Sequence, residues 1–302
     1  MRALLVFNPN ATTTDDRVRD VIASALASAV DLEVAATKQR GHATHLVAGA
    51  VHEGVEAVFA LGGDGTANEV LQALAGTDVR LGIIPGGGAN VLARALGLPN
   101  DAVQATSLLL DHLREGRERT ITLGRAGGRY FGFNAGFAFD AAVVRHVEQH
   151  PDAKRRCKQA AFVWSTVRTW LARGDEPEHQ VTVATPDGGE HGPFAVTIVA
   201  NTDPYTYLGP RPMHVHPQAS FDAGLDLLAI RPVGTPKLTR VVLAAFRDGG
   251  HVGRDEVAYW HDLDGFTLRA AVPQPLMVDG DYAGEHTEVT FTAVRDALRV
   301  LA

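Results

Sequence analysis

LGGDGTANE at residues 61–69 sets the pattern for the first half of the chain. It follows an apolar run that begins at Val55 and leads into apolar residues at helical spacing, so the predicted order is strand, glycine turn, helix. Three glycines allow a tight bend and bring backbone N–H groups close to a bulky anion. The positive end of the new helix faces the same place. The segment therefore predicts a nucleotide site.

Asp64 is the unexpected member of this segment. A carboxylate in a plain phosphate cradle would repel the ligand, so we expect it to meet a metal ion, a ribose or a hydroxyl group. The segment is not a P-loop, because no Gly-Lys-Ser/Thr follows, and it departs from the dinucleotide fingerprint, since Asn68 stands where a third glycine would be. A purely structural strand-to-helix turn is the alternative interpretation.

Strands and helices alternate through residues 1–120, which predicts an α/β domain with a parallel sheet and helices on both faces. The predicted strands are 3–7, 32–37, 55–61 and 80–84, and the predicted helices are 15–30, 43–52, a helix ending near 75, 90–96 and 102–115. Ligands of such sheets bind beyond the carboxyl ends of the strands. Asn8, Thr37 and the glycine turns at Gly62 and Gly86 all follow strand ends, so we expect them at one edge.

After about residue 120 the pattern changes to short strands separated by Gly, Pro and Asp turns, which indicates an antiparallel β domain. The candidate strands are 121–123, 130–133, 181–184, 195–200, 225–230, 266–269, 276–278 and 288–291. Helical patterns interrupt them at 139–173 and 235–247. The predicted domains are therefore 1–120 and 121–291.

The composition predicts a cytoplasmic globular protein. With 302 residues, 45% of them hydrophobic and 21% charged, the chain suffices for two cores. Its net charge of −7 argues against a general nucleic-acid binder. A single cysteine excludes an internal disulfide framework and a multi-cysteine zinc site. We expect no signal peptide and no apolar run near the ~20 residues of a membrane span, so any membrane contact would be peripheral.

A second glycine turn, PGGGAN at 85–90, ends the next strand. Alone it is equally consistent with an ordinary turn, but beside the first turn it could help to hold a triphosphate.

Together with other motifs, the two turns resemble those of the diacylglycerol kinase catalytic domain family, which includes sphingosine and ceramide kinases and soluble bacterial lipid kinases. The motifs that carry the resemblance are NP at 8–9, Thr37 with GHA at 41–43, GGDGT at 62–66 with NEV at 68–70, GGAN at 87–90, NAGFAFD at 134–140, FDAGLD at 221–226 and VDGD at 278–281.

The resemblance implies a lipid kinase that uses ATP and Mg²⁺, with the nucleotide on the first domain, the lipid on a C-terminal antiparallel β-sandwich and the reaction in the cleft between them. It also implies that residues 292–302 return to the first domain. The residues that it assigns to the ATP site are Asn8, Thr37, Gly62, Gly63, Asp64, Gly65, Thr66, Ala67, Asn68 and Gly88. Two positions depart from the family: Gly88 replaces a usual threonine, and residues 11–14 replace a usual Ser-Gly.

The acidic positions of the family match less closely. VDGD aligns with a family Asp-Gly-Glu whose last carboxylate is the general base, which implies that Asp281, or else Asp279, accepts the substrate proton. From the residues alone, an Asp-Gly hairpin turn is the simpler interpretation of this segment. The family's accessory Mg²⁺ ligand falls on Ala223, so either Asp222 substitutes for it or that metal is absent. Asp64 and Asp140 could support the catalytic Mg²⁺, although Asp140 could equally be a helix N-cap.

We therefore expect an ATP-dependent lipid kinase that phosphorylates the hydroxyl of diacylglycerol or a related lipid. The alternatives are a kinase of a soluble metabolite, similar to NAD kinases, and a non-catalytic lipid- or nucleotide-binding protein. A basic segment at 154–173 with interleaved aromatic residues is either a solvated helix or a peripheral contact with anionic lipid headgroups. The sequence leaves the oligomeric state open, with a homodimer as one option.

Overall fold

The computed structural model describes residues 1–9, 16–138, 179–208, 211–245 and 249–302. These residues form two compact units, one made of Met1–Leu123 with Arg295–Ala302 and the other of Gly124–Val294. Three features of the sequence analysis lie outside the described residues. They are residues 11–14, Asp140 and the helical pattern at 139–173 with its basic segment.

Strand and helix alternate in the first unit, as the sequence predicts. Its first four strands are β1 (Arg2–Phe7), β2 (Asp31–Ala36), β3 (Ala57–Gly62) and β4 (Arg80–Pro85). Its described helices are α1 (Asp16–Ala27), α2 (His42–His52), α3 (Asp64–Leu74), α4 (Val91–Ala95) and α5 (Ala102–Glu115).

The sheet of this unit is parallel, in the order β2-β1-β3-β4. Near the end of the chain, Arg299 and Val300 pair with β4, also in parallel. Every residue of β3 is buried, which is the pattern of a central parallel strand covered on both faces. The predicted α/β class is therefore confirmed, and the carboxyl ends of β1 to β4 lie at one edge.

The second unit is built mainly from antiparallel strands. In chain order they are β5 (Arg119–Ala126), β6 (Arg129–Phe131), β7 (Asn134–Phe137), β8 (Val181–Ala184), β9 (Glu190–Phe194), β10 (Val196–Ala200), β11 (Thr206–Leu208), β12 (Arg211–Met213), β13 (Leu225–Ile230), β14 (Val257–Leu263), β15 (Gly265–Val278) and β16 (Asp281–Val300). Two of these strands, β5 and β16, include residues that belong to the first unit. A helix, α6 (Thr235–Ala245), lies between β13 and β14 in the chain. The predicted strands 266–269 and 276–278 are parts of the single strand β15, and the sequence did not predict β7, β9, β11, β12 or β14.

Both faces of β13 are buried, against different partners. Leu225, Leu227 and Ala229 belong to an apolar layer that includes the stacked rings of Phe266 and Phe291, 5.2 Å apart. The alternate residues, Leu228 and Ile230, belong to a second cluster with Leu238 and Val241 of α6. The strand therefore has a sandwich core on one side and a covering helix on the other, and the antiparallel β-sandwich class is confirmed.

None of the helices in the described part of the chain combines the length and the apolar character needed to cross a membrane.

Candidate functional site

Backbone hydrogen bonds tie together the loops at the carboxyl edge of the parallel sheet. The Thr37 N–H donates to the Phe7 carbonyl at 2.9 Å, and the Asn8 N–H donates to Leu61 at 3.2 Å. The Gly86 N–H donates to the Gly62 carbonyl at 2.7 Å. The four loops predicted to meet at this edge are therefore linked across it.

The two glycine turns contact each other through their backbones. A Cβ built on Gly87 would lie 2.6 Å from the Gly63 Cα, closer than real Cβ atoms approach other atoms. Asn90 fixes Gly87 from the other side, because its Oδ1 accepts the Gly87 N–H at 2.9 Å and its Nδ2 donates to the Gly87 carbonyl at 3.0 Å. Glycine at position 87 is therefore a steric requirement of this contact.

The glycine segment forms the first turn of α3. Gly63 is its N-cap, and the first intrahelical bond runs from the Ala67 N–H to the Gly63 carbonyl at 3.1 Å. The N–H groups of Gly65 and Thr66 precede that bond, so they have no acceptor within the helix. Gly65 is exposed. The start of α3 thus offers N–H groups and a positive helix end, the combination that binds phosphate groups.

The carboxylate of Asp64 caps α4. The Leu92 N–H donates to Asp64 Oδ1 at 3.1 Å, and the N–H groups of Asn90 and Val91 also act on this carboxylate. Burial raises the pKa of Asp64, while these N–H donors oppose the rise. In this structure the Asp64 carboxylate links the first and second glycine turns.

Glu69 plays a matching role that the sequence analysis did not assign. Its Oε1 accepts the Gly41 N–H at 2.7 Å, and its Oε2 accepts the Ala43 N–H at 3.0 Å. These donors belong to the start of α2, whose N-cap Gly41 has a left-handed backbone and no capping side chain. The sequence held one sign of this contact. At GHA, residues 41–43, a helix starts without Ser, Thr, Asp or Asn at the cap, so its first N–H groups need an acceptor from elsewhere.

The residues expected to line the ATP site divide by exposure. Six have accessible surface: Asn8, Thr37, Gly63, Asp64, Gly65 and Gly88. Four are buried: Gly62, Thr66, Ala67 and Asn68. Asn68 is 0% exposed and its Oδ1 accepts the Gln72 Nε2–H at 3.3 Å. Asn68 therefore lies within the core at the start of α3.

The VDGD segment of the second unit is a two-residue hairpin between β15 and β16. Asp279 (φ 48°) and Gly280 (φ 82°) occupy the turn, and Val278 pairs with Asp281. Positive φ angles at both turn residues are typical of a type I′ hairpin, for which Asp-Gly is well suited. The motif therefore forms a hairpin turn, and the turn fixes where both carboxylates point.

The two aspartates of this hairpin have different surroundings. Asp279 is 3% exposed, and its carboxylate accepts the N–H groups of Gly132 (2.7 Å), Phe133 (3.0 Å) and Asn134 (3.2 Å). The Asp281 side chain is 23% exposed and forms an ion pair with Arg129 Nη2 at 3.1 Å. Asp279 therefore anchors the hairpin, and Asp281 has the more accessible carboxylate.

Around the predicted accessory metal site, the described part of the chain contains no group of three metal-ligating side chains. Asp222 is exposed, and its neighbour Ala223 contributes no side-chain oxygen. Asp226 is fully buried and accepts hydrogen bonds from the Tyr259 hydroxyl, from His261 Nδ1 at 2.8 Å and from the Asp262 N–H at 3.2 Å. Burial, together with Asp226, raises the pKa of Tyr259.

Across the described ranges, no three or more His, Cys, Asp or Glu side chains are grouped to hold a metal ion. Asp140, the other expected support for Mg²⁺, lies outside those ranges. The described residues thus supply no cluster of such side chains for a resident metal.

Two family models match the chain in succession. A model of the diacylglycerol kinase catalytic domain matches residues 2–126, and a model of the YegS C-terminal NAD kinase beta sandwich-like domain matches residues 134–302. A diacylglycerol kinase of Mycobacterium tuberculosis is 31% identical over 86% of this chain and 81% of its own length. One of Bacillus subtilis is 28% identical over 94% of this chain and 90% of its own length.

Solved structures extend the likeness to the fold. A diacylglycerol kinase from Bacillus anthracis superposes with a TM-score of 0.71 at 20% identity, over 99% of this chain and 96% of that one. An NAD kinase from Archaeoglobus fulgidus in complex with ATP gives a TM-score of 0.54 at 14% identity, over 100% and 94% of the two chains. At these identities the similarity concerns the fold alone.

Proposed function

Because the chain belongs to the diacylglycerol kinase catalytic domain family, we propose that it transfers the γ-phosphate of ATP to a hydroxyl group of diacylglycerol or a related lipid. In this proposal residues 1–120 with 292–302 bind the nucleotide, and residues 121–291 bind the lipid. The observation that carries it is the pair of glycine turns joined at Gly63 and Gly87 beside the open start of α3.

The donor side of the reaction requires a site for a polyanion. The N–H groups at Gly65 and Thr66, the helix end behind them and the exposed turn at Gly88 supply dipoles that need no rearrangement. Asn8 and Thr37 border the same edge. Mg²⁺ bound with ATP would neutralise charge on the phosphates. The contribution of these protein groups is positioning and electrostatic stabilisation, which dominate phosphoryl transfer.

The acceptor side requires a group that takes the hydroxyl proton. We assign this role to Asp281, because its carboxylate is partly exposed while that of Asp279 is occupied by three backbone N–H groups. The substrate oxygen forms a bond to the γ-phosphorus, the bond from that phosphorus to the bridging oxygen breaks, ADP leaves and the proton goes to Asp281. Arg129 acts as a positioning residue that holds this carboxylate.

The test uses the full chain with labelled ATP, Mg²⁺ and mixed micelles that contain diacylglycerol, ceramide or sphingosine. We expect label in an organic-extractable product. Asp281→Asn should lower kcat by at least about a hundredfold, the usual contribution of a positioned acid–base group. Asp281→Glu should keep substantial activity because it retains a carboxylate. Asp255→Asn removes an exposed carboxylate of the same unit as a control.

Three results would contradict the proposal. Label in NAD or in a sugar phosphate would identify a kinase of a soluble metabolite. ATP binding without product across the lipid panel would indicate a non-catalytic binding protein. Full activity of Asp281→Asn would exclude Asp281 as the proton acceptor.

A further inference from the structure

The outer face of α6 is unusual for a surface helix of an acidic protein. Leu238, Val241 and Ala245 of this helix are buried, at 3% to 7% exposure, in the cluster beneath it, and Ala244 is buried at 8%. At 100° per residue, Pro236, Thr239, Arg240 and Leu243 fall on the opposite side, with Lys237 at its flank. We refer to these five residues as the α6 outer face.

Leu243 is the most exposed large apolar side chain among the described residues, at 59%. Other residues form the buried stripe of this helix, so Leu243 takes no part in the packing beneath it. A second exposed apolar residue, Val252 at 36%, follows His251, which bonds the Val215 carbonyl at 2.8 Å. Because the neighbouring His214 N–H donates to Ala245 at 3.0 Å, this turn lies near the C-terminal end of α6.

The charges of α6 have one sign. The helix carries Lys237 and Arg240 and no acidic residue, whereas the whole chain has a net charge of −7. Within the described part of the chain, neither cation has a salt bridge or a side-chain hydrogen bond. Both residues are exposed, so their charges are available to a partner.

We propose that the α6 outer face docks on an anionic lipid bilayer, with Leu243 inserted among the lipids and Lys237 and Arg240 at the headgroups. Cations on the polar side of an amphipathic helix and an exposed leucine are the features that hold such helices in the interface plane. Charge complementarity selects an anionic membrane over a neutral one, since each cation near the surface adds to binding. The proposal rests on the proposed function, which requires access to a lipid substrate in a bilayer.

Vesicle sedimentation tests this directly. We compare vesicles of phosphatidylcholine alone with vesicles in which part of it is replaced by phosphatidylglycerol. Lys237→Ala and Arg240→Ala should each weaken binding to the anionic vesicles about fivefold, and added salt should reduce this difference. Leu243→Ser should weaken binding about tenfold. This loss should be seen with either kind of vesicle, provided that the unsubstituted protein binds it measurably. Unchanged binding of all three variants would overturn the proposal.

Matched controls come from the other unit. Val21→Ser removes an apolar side chain of similar exposure, 57%, from α1, and Arg114→Ala removes an exposed cation from α5. Both should bind vesicles like the unsubstituted protein. If they weaken binding as much as the α6 variants, the loss of any exposed cation or apolar side chain has the same effect, and the α6 outer face has no special role.

Two further measurements separate this proposal from its alternatives. The α6 variants should phosphorylate a short-chain, water-soluble diacylglycerol at the unsubstituted rate. Vesicle binding by a protein that phosphorylates no lipid would refute the proposed function while leaving the docking face in place. If light scattering shows a change of mass in Leu243→Ser without a change in vesicle binding, the face joins copies of this chain and the proposal is wrong.

Discussion

The Gly63 Cα and the Gly87 backbone are packed so closely that the two glycine turns contact each other without any side chain between them. This relationship joins the loop after β3 to the loop after β4. Asp64 strengthens the same junction, because its carboxylate caps the helix that follows the second turn. The candidate nucleotide site is thus one structural element built from two separate motifs.

Replacing Gly87 with alanine should push the two turns apart. The new Cβ would meet backbone atoms, which cannot rotate away, so we expect a loss of about 2 kcal/mol in the free energy of unfolding and weaker ATP binding. Denaturant titration and calorimetry measure the two effects. Gly49→Ala is the control: Gly49 lies inside α2 with open space around it, so this substitution should stabilise the protein by about 0.5–1 kcal/mol.

Glu69→Ala should uncap α2. The Gly41 and Ala43 N–H groups would lose a charged acceptor, which we expect to lower the free energy of unfolding by about 2 kcal/mol. Glu69→Gln keeps one acceptor oxygen and should lose about half as much. Glu115→Ala removes an exposed glutamate from an ion pair and should change stability by less than about 0.5 kcal/mol. Equal effects of Glu69→Ala and Glu115→Ala in urea unfolding would argue against the cap.

The sequence predicted the order of elements in the first unit because strand and helix periods alternate there without interruption. It also located the glycine turns, since clustered glycines directly after an apolar strand are typical of a tight turn. It could not assign Asp64 or Glu69, because their partners are backbone N–H groups about 28 residues away in the chain. The same limit applies to the hairpin. Asp-Gly predicted the turn, but not the three backbone N–H donors that bind the Asp279 carboxylate and leave that of Asp281 more accessible.

Asp279→Asn should mainly lower stability, whereas Asp281→Asn should mainly lower turnover. An amide at position 279 retains one acceptor oxygen and turns an NH₂ group toward backbone N–H donors, so we expect a loss of about 3 kcal/mol in unfolding free energy. Asp281→Asn disrupts a partly exposed ion pair with Arg129, which should lower stability by about 1 kcal/mol at most. Thermal and denaturant unfolding, together with turnover, measure both. A stable, inactive Asp279→Asn would reverse our assignment of the two roles.

His216 should make the second unit sensitive to acid. It is 1% exposed, its Nε2–H donates to the Ile198 carbonyl at 3.0 Å, and its Nδ1 has no hydrogen-bond partner in the described structure. Burial, with a smaller effect of nearby His251, lowers the pKa of His216 from 6.5 to about 3. Between these values the unfolded chain binds a proton that the folded protein excludes, so stability falls as the pH falls.

We therefore expect the free energy of unfolding to drop by about 2 kcal/mol between about pH 6.5 and pH 5 from this group alone, at about 1.4 kcal/mol for each pH unit. His216→Gln should reduce this slope, because glutamine can donate to Ile198 but does not titrate. His52→Gln, at an exposed position of α2, should leave the slope unchanged. Urea unfolding at a series of pH values provides the measurement, and equal slopes for the unsubstituted protein and His216→Gln would show that His216 is not the group responsible.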